Sequence, residues 1–156
     1  MRRVAIAFGS NLGDRRAQIL RAARQVAGFL ATFRLSHLIE TAPVGAGLEG
    51  DPFYLNAVGV GQSALSAREL LDRLLAIEQE AGRARPYPGA PRTIDLDLIL
   101  VGEEVLDEPG LTLPHPRFRE RRFVLEPLAE IAPDLVDPTS GLTIADLLRN
   151  QQQRER

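Results

Sequence analysis

The stretch Thr93-Ile94-Asp95-Leu96-Asp97-Leu98-Ile99-Leu100-Val101 decides how the rest of the chain is read. Apolar and acidic residues alternate at its start, and an unbroken apolar run follows. Alternation with a period of two is the strand pattern. It sends Asp95 and Asp97 to one face, roughly 7 Å apart at their Cα atoms, with Ile99 and Val101 further along. Ile94, Leu96, Leu98 and Leu100 take the other face. A strand that is apolar on both faces is expected at the centre of a sheet. Two carboxylates at one end of it repel unless a cation joins them. Mg²⁺ suits the position, because it is commonly held by one or two carboxylates together with substrate phosphates. The spacing also suits two ions roughly 3.5–4 Å apart. Two aspartates at a solvated strand end would give the same pattern, so the flanks have to decide.

Upstream lie Arg83, Arg85 and Arg92, in a loop punctuated by Pro86, Pro88, Gly89 and Pro91. Downstream comes Pro114-His115-Pro116, then Arg117, Arg119, Arg121 and Arg122. If both segments fold over the aspartates, the result is a pocket of metal and arginine. That is the equipment of phosphoryl transfer, which needs positioning and charge stabilisation more than covalent chemistry. Any one of these arginines could equally be a solvated surface charge, and His115 a packed or capping residue. His37 has no such company and reads as structural.

Working outward, Arg3 to Phe8 reads as a buried strand and Gly9 to Gly13 as a turn, with Asp14 as the N-cap of a helix. Ile19, Leu20, Ala23, Val26, Ala27 and Leu30 recur at helical spacing. Phe33 to Glu40 reads as a second strand, Thr41 to Pro52 as a long loop, and Phe53 to Gly61 as a third strand. Ser66-Ala67-Arg68-Glu69 has capping-box spacing. The helix it opens puts Leu70, Leu71, Leu74, Ile77 and Ala81 on one face, and Gly82 ends it. Glu78 falls on that apolar seam, where a carboxylate is unusual unless paired; it either braces a loop arginine or sits at a solvated helix edge. From Pro109 onward the pattern is loop and short helix.

The order strand, helix, strand, strand, helix, strand predicts an α+β fold with a ferredoxin-like β-α-β-β-α-β core. The sheet would be largely antiparallel, with helices on one face and extra C-terminal elements. Residues 1–150 read as a single domain, and the polar tail 151–156 is expected to fray.

A third constellation joins Thr41-Ala42-Pro43-Val44-Gly45 to Tyr54 and Asn56. Such a loop offers backbone amides and carbonyls to a planar heterocycle, and Asn56 carries donor and acceptor in one side chain. Tyr54 and Phe123 could stack on a flat ring. A buried Asn at a strand start and a core Phe would give the same residues.

Composition bounds the class. The 156 residues are 44% hydrophobic and 26% charged, the balance of a globular domain. Cysteine is absent, which excludes disulfides and thiolate metal sites. A net charge of −2 and only 5% aromatic residues argue against a nucleic-acid binder. All 19 basic residues are arginine, the side chain better suited to bidentate phosphate recognition, although coding bias accounts for that too. No run approaches the roughly 18 apolar residues of a membrane helix. The apolar run after Met1-Arg2-Arg3 is too short for a signal core. The expected location is the cytoplasm, with no membrane or nucleic-acid partner.

Taken together these segments resemble the 6-hydroxymethyl-7,8-dihydropterin pyrophosphokinase family of folate biosynthesis, from about Val4 to Pro138. The resemblance is carried by Gly9-Ser10-Asn11-Leu12-Gly13-Asp14, Thr41 to Gly45, Tyr54-Leu55-Asn56-Ala57 and Glu78 with Gly82-Arg83. Pro91 to Asp97, Pro114-His115-Pro116, Arg121 to Leu125 and Pro127 to Pro133 complete it. It implies transfer of the terminal diphosphate of ATP to the hydroxymethyl group of a reduced pterin, with release of AMP. It implies two Mg²⁺ ions at Asp95 and Asp97, with Asp97 also the nearest base. Arg83 and Arg92 would clamp phosphates and stabilise the transferring group. His115 and Arg121 would contact the nucleotide, and Glu78 would support its pocket. Asn56 would read the pterin edge, Thr41 and Val44 would do so through backbone, and Tyr54 and Phe123 would line the ring. A monomer is compatible with the family.

One departure stands out. The family commonly has Trp-Gly-Pro-Arg where this chain has Gly89-Ala90-Pro91-Arg92, and the chain contains no tryptophan. The tryptophan belongs to a loop that closes over the substrates, and Tyr87 is the candidate replacement. Two other readings stay open: another Mg-dependent nucleotidyl or phosphoryl transferase on the same core, and a non-catalytic nucleotide-binding module.

Overall fold

β1 (Arg2–Ser10) supplies both halves of the hydrophobic core. Val4, Ile6 and Phe8 point to one face, and Ala5 and Ala7 to the other. The structure, a computed structural model, describes residues 1–42, 53–82 and 94–154. After β1 come α1 (Arg15–Ala27), β2 (Ala31–Leu35), β3 (Ile39–Thr41), β4 (Tyr54–Ser63), α2 (Ala67–Gly82) and β5 (Asp95–Val101). A hairpin of β6 (Leu106–Glu108) and β7 (Leu111–Leu113) follows, then a 3-10 turn (Phe118–Glu120), α3 (Arg122–Ile131) and α4 (Ile144–Arg154). No helix among the described residues is long and apolar enough to cross a membrane.

The main sheet runs β2-β4-β1-β5, with β3 also against β4, and every neighbouring pair is antiparallel. α1 starts where Asp14 accepts the Ala17 amide proton at 3.0 Å. α2 starts at the capping box: Glu69 N–H donates to Ser66 Oγ and Ser66 N–H to Glu69 Oε1, both at 3.1 Å. The buried stripes of these helices, Ile19, Ala22 and Val26 of α1 and Leu70, Leu74 and Ile77 of α2, close over Val4, Ile6, Phe8, Leu96 and Leu98. Each fully buried aliphatic side chain contributes about 1.5–3 kcal/mol. Gly59 makes room on this face, since a Cβ there would lie 2.4 Å from the Phe33 ring.

The extra C-terminal elements cover the opposite face. α3 and α4 bring Val124, Leu125, Leu128, Ile144 and Leu147 onto Ala5, Val58, Val60, Ile99 and Leu100. Helices therefore lie on both sides of the sheet, where the sequence pointed to one.

Three expectations need correction. β5 is not central: among the described residues it pairs with β1 alone and lies at the end of the strand order. It is buried on both faces because helices cover both, and its outer edge is closed by other means. There Glu78 Oε2 accepts the Leu96 amide proton at 2.8 Å, and His115 N–H donates to the Ile99 carbonyl at 2.9 Å. Strict alternation also fails within it. The register against β1 slips between Ala5 and Ile6, a bulge that leaves Ile99 and Leu100 both on the α3 side and returns Val101 to the α2 side.

The second strand is really two, broken where Ser36 N–H donates to the Val58 carbonyl and Ser36 Oγ accepts the Val58 amide proton, each at 2.9 Å. The described part of the tail is helical through Arg154, and Gln151 is only 7% exposed. The β6–β7 hairpin carried no signal in the sequence.

Candidate active site

The register of three strands builds the floor. Gly9 of β1 pairs with Asn56 of β4 on one side and Asp95 of β5 on the other. One step along, Ala7 lies between Val58 and Asp97. Paired residues of a sheet share a face, and Val58 places this face on the α3 side. A carboxylate pair and a carboxamide thus stand on opposite sides of a strip that carries no large side chain. A Cβ at Gly9 would sit 3.4 Å from Asn56 Oδ1.

Above the floor opens a cleft of about 730 Å³, within the usual range of small-molecule sites. Thr41, Ala42 and Tyr54 line it beside Asn56, and Arg117, Glu120, Arg121 and Phe123 line it as well. Asn56 is buried, and its Nδ2 donates to Thr41 Oγ1 at 2.8 Å. That bond uses one amide hydrogen and fixes the plane of the carboxamide.

Arg121 Nη1 is 4.0 Å from Asp97 Oδ2. Its guanidinium lies 5.6 Å from the Phe123 ring centroid, a cation–π contact that holds it over the cleft. Asp95 and Asp97 are both half-buried. Among the described residues no three His, Asp or Glu side chains cluster as a metal cage. The aspartate pair is hard-oxygen chemistry and fits Mg²⁺ that takes its remaining ligands from phosphate and water.

Two predicted residues are not among the described residues that line the cleft. Glu78 reaches from α2 to the Leu96 amide, between the two aspartates, and so braces the strand that carries them. His115 is half-buried and its Nδ1 accepts the Arg117 amide proton at 3.1 Å. Burial holds its pKa below the ordinary imidazole value; the Asp97 charge opposes that, while Arg121 and Arg117 reinforce it. With Nδ1 accepting, the neutral ring carries its proton on Nε2.

The arginines downstream divide. Arg117, Arg121 and Arg122 line the cleft, and Arg122 also pairs with Glu126 at 2.9 Å. Arg119 turns the other way, onto Asp137. His37 pairs with Glu130 at 2.8 Å on the surface. The structure therefore brings together Thr41, Tyr54, Asn56, Asp95, Asp97, Arg121 and Phe123. Val44, Arg83, Tyr87 and Arg92 lie outside the described residues. Sequence reasoning missed Asn11 and Glu120 as lining residues. The Gly-Ser-Asn stretch at the end of β1 could have flagged Asn11; nothing flagged Glu120.

Comparison with known proteins points the same way. Residues 5–133 match the family model of 7,8-dihydro-6-hydroxymethylpterin-pyrophosphokinase (HPPK). A Pseudomonas aeruginosa 2-amino-4-hydroxy-6-hydroxymethyldihydropteridine pyrophosphokinase is 42% identical over 151 residues, 95% of this chain and 91% of that protein. The Synechocystis protein of the same name is 54% identical over 97 residues, 62% of this chain and 50% of its own length. The wild-type Plasmodium falciparum HPPK-DHPS crystal structure superimposes with a TM-score of 0.76 over 98% of this chain and 45% of that one. At 13% identity that last match speaks for the fold alone.

Proposed function

The chain belongs to the 7,8-dihydro-6-hydroxymethylpterin-pyrophosphokinase family, and we propose that it transfers diphosphate from ATP to 6-hydroxymethyl-7,8-dihydropterin in folate biosynthesis. The observation that carries this reading is the shared floor. Asn56 and the Asp95–Asp97 pair face one cleft across Gly9, with Arg121 over the acidic end. A heterocycle reader and a phosphate handler then stand within one substrate length. We further infer that the core is ferredoxin-like; the antiparallel order β2-β4-β1-β5 supports it.

In this reading the pterin lies at the Thr41 end, its amide-like edge on Asn56 and on the backbone near Thr41 and Val44, its ring between Tyr54 and Phe123. The triphosphate lies at the Asp97 end. The pterin hydroxymethyl oxygen attacks the β-phosphorus of ATP. The bond from that phosphorus to the oxygen bridging the α-phosphate breaks, and AMP leaves with the electron pair. The hydroxyl proton passes to Asp97 or to water. Arg121, with Arg83 and Arg92, offsets charge on the transferring group, and donors fixed beforehand are worth most at that moment. His115 and Glu78 keep the arginine turn and β5 in place. Asp95 and Asp97 would hold Mg²⁺, two ions in the full reading, which neutralises phosphate charge when bound. Tyr87 stands in for the loop tryptophan.

The test is the product. With ATP, Mg²⁺ and 6-hydroxymethyl-7,8-dihydropterin, AMP should appear in step with pterin consumed, and EDTA should stop it. ADP or inorganic pyrophosphate as the product would overturn the reading in favour of another transferase. No product despite ATP binding would leave the non-catalytic module.

A further inference from the structure

The turn that carries the cleft arginines is held by the C-terminal arm, on the side away from the cleft. Phe118 is fully buried between the sheet and the C-terminal helices. Arg119 stacks its guanidinium 4.8 Å from the Phe118 ring centroid, and its Nη2 donates to Asp137 Oδ1 at 2.8 Å while Nε donates to Oδ2. The next carbonyl, that of Glu120, accepts from Gln151 Nε2 at 2.8 Å. Around these anchors Arg117, Glu120 and Arg121 face the cleft.

Both anchoring side chains are buried polar groups on a segment that contributes nothing to the cleft itself. Asp137 is 0% exposed and is held in turn by the Ser140 hydroxyl at 2.7 Å and the Thr139 amide at 3.1 Å. Gln151 is 7% exposed, and its Oε1 has no protein partner among the described residues. A buried amide with half its capacity unused is a poor stabiliser, and an apolar side chain of similar volume would serve the core at least as well. What Gln151 does supply is one directed bond to the backbone between two cleft residues.

We propose that Gln151 and Asp137 are positioning residues: through the Glu120 carbonyl and through Arg119 they set where Arg117 and Arg121 stand over the phosphate end of the cleft. The proposal rests on the reading above, in which that end takes the triphosphate of ATP.

The experiment uses Gln151→Leu, with Asp137→Asn as a second variant and Leu148→Ala as control. Leu148 is a half-buried residue of the same helix packed on the same core. Turnover with both substrates and calorimetric affinity for Mg·ATP are measured at a temperature well below each melting midpoint. Gln151→Leu should lower kcat/KM for ATP by about 3- to 30-fold through misplacement and leave KM for the pterin within about twofold. In an Arg121→Ala background the same change should have little further effect, because coupled residues are non-additive. Full additivity would overturn the proposal, and so would an equal kinetic loss in Leu148→Ala at the same melting midpoint. If the wild-type protein makes no AMP, the functional reading falls by itself. The Mg·ATP affinities then decide the positioning role, and an affinity unchanged by Gln151→Leu overturns it.

Discussion

Arg121 Nη1 stands 4.0 Å from Asp97 Oδ2, so the cation at the start of α3 meets the anion at the start of β5 across the cleft. A half-exposed pair at that separation contributes under about 1 kcal/mol to stability. Its consequence is geometric: a guanidinium and a carboxylate are both aimed at the same volume. Arg121→Ala should therefore leave the melting midpoint nearly unchanged and lower kcat/KM for ATP by about 10- to 100-fold. Arg121→Lys should recover only part, because lysine lacks the planar fork and the stacking surface that Phe123 supports. Steady-state kinetics on both variants checks this, and full activity in Arg121→Lys would reduce the role to bare charge.

Asp95 and Asp97 share one face of the sheet with Asn56, from which Gly9 separates them, and both are half-buried. Asp97→Asn keeps shape and removes charge. It should cost about 10³-fold or more in turnover, by analogy with the loss of other charge-stabilising groups. The Mg²⁺ concentration for half-maximal rate should rise in Asp95→Asn. Turnover within tenfold of wild type in both variants would move the metal elsewhere.

These contacts also show what the sequence could and could not convey. The Asp-Leu-Asp alternation exposed the carboxylate face, because side-chain period is a local property. That Asn56 lies across Gly9 from Asp95 depends on the register of three antiparallel strands, which no single segment encodes. β5 read as central because it is apolar on both faces. Among the described residues it is an edge strand whose outer amide and carbonyl are closed by Glu78 and His115, contacts made by remote residues without periodicity. Arg117, Arg119, Arg121 and Arg122 looked like one cluster, and the burial of Phe118 is what sends Arg119 away from the other three.

Asp137 should give the fold an acid-labile component. Burial alone would raise its carboxyl pKa, but the Arg119 fork, the Ser140 hydroxyl and the Thr139 amide together outweigh that and hold it below the ordinary 3.8. A depressed folded value means the unfolded chain binds the proton first. The stabilisation is therefore complete above about pH 4 and is lost as pH falls through the folded value. Asp137→Asn should lower the melting midpoint at neutral pH, and the gap to wild type should narrow below about pH 4. Melting curves from about pH 7 to about pH 3 check this; a gap independent of pH would mean that the charge contributes nothing.

Two glycines on neighbouring strands should separate folding from function. At Gly59 a Cβ would lie 2.4 Å from Phe33 Cζ and 3.1 Å from Phe8 Cε1, inside the packed face under α1 and α2. Gly59→Ala should destabilise by about 1–3 kcal/mol through overpacking, with the substrate constants of the remaining folded protein little changed. At Gly9 the nearest atoms to a Cβ would be Asn56 Oδ1 at 3.4 Å and Tyr54 Cδ1 at 3.9 Å, ordinary contacts that the fold tolerates. The added methyl would instead stand on the strip between Asn56 and Asp95. Gly9→Ala should keep the melting midpoint within the shift of about 0.5 kcal/mol typical of a tolerated change. Its KM for the pterin should rise about tenfold or more, as expected when a ligand is lifted off its hydrogen-bonding edge. Denaturation and kinetics on the two variants side by side give the answer. A Gly9→Ala protein with unchanged pterin KM would show that the heterocycle does not lie over this floor, whatever Asn56 does.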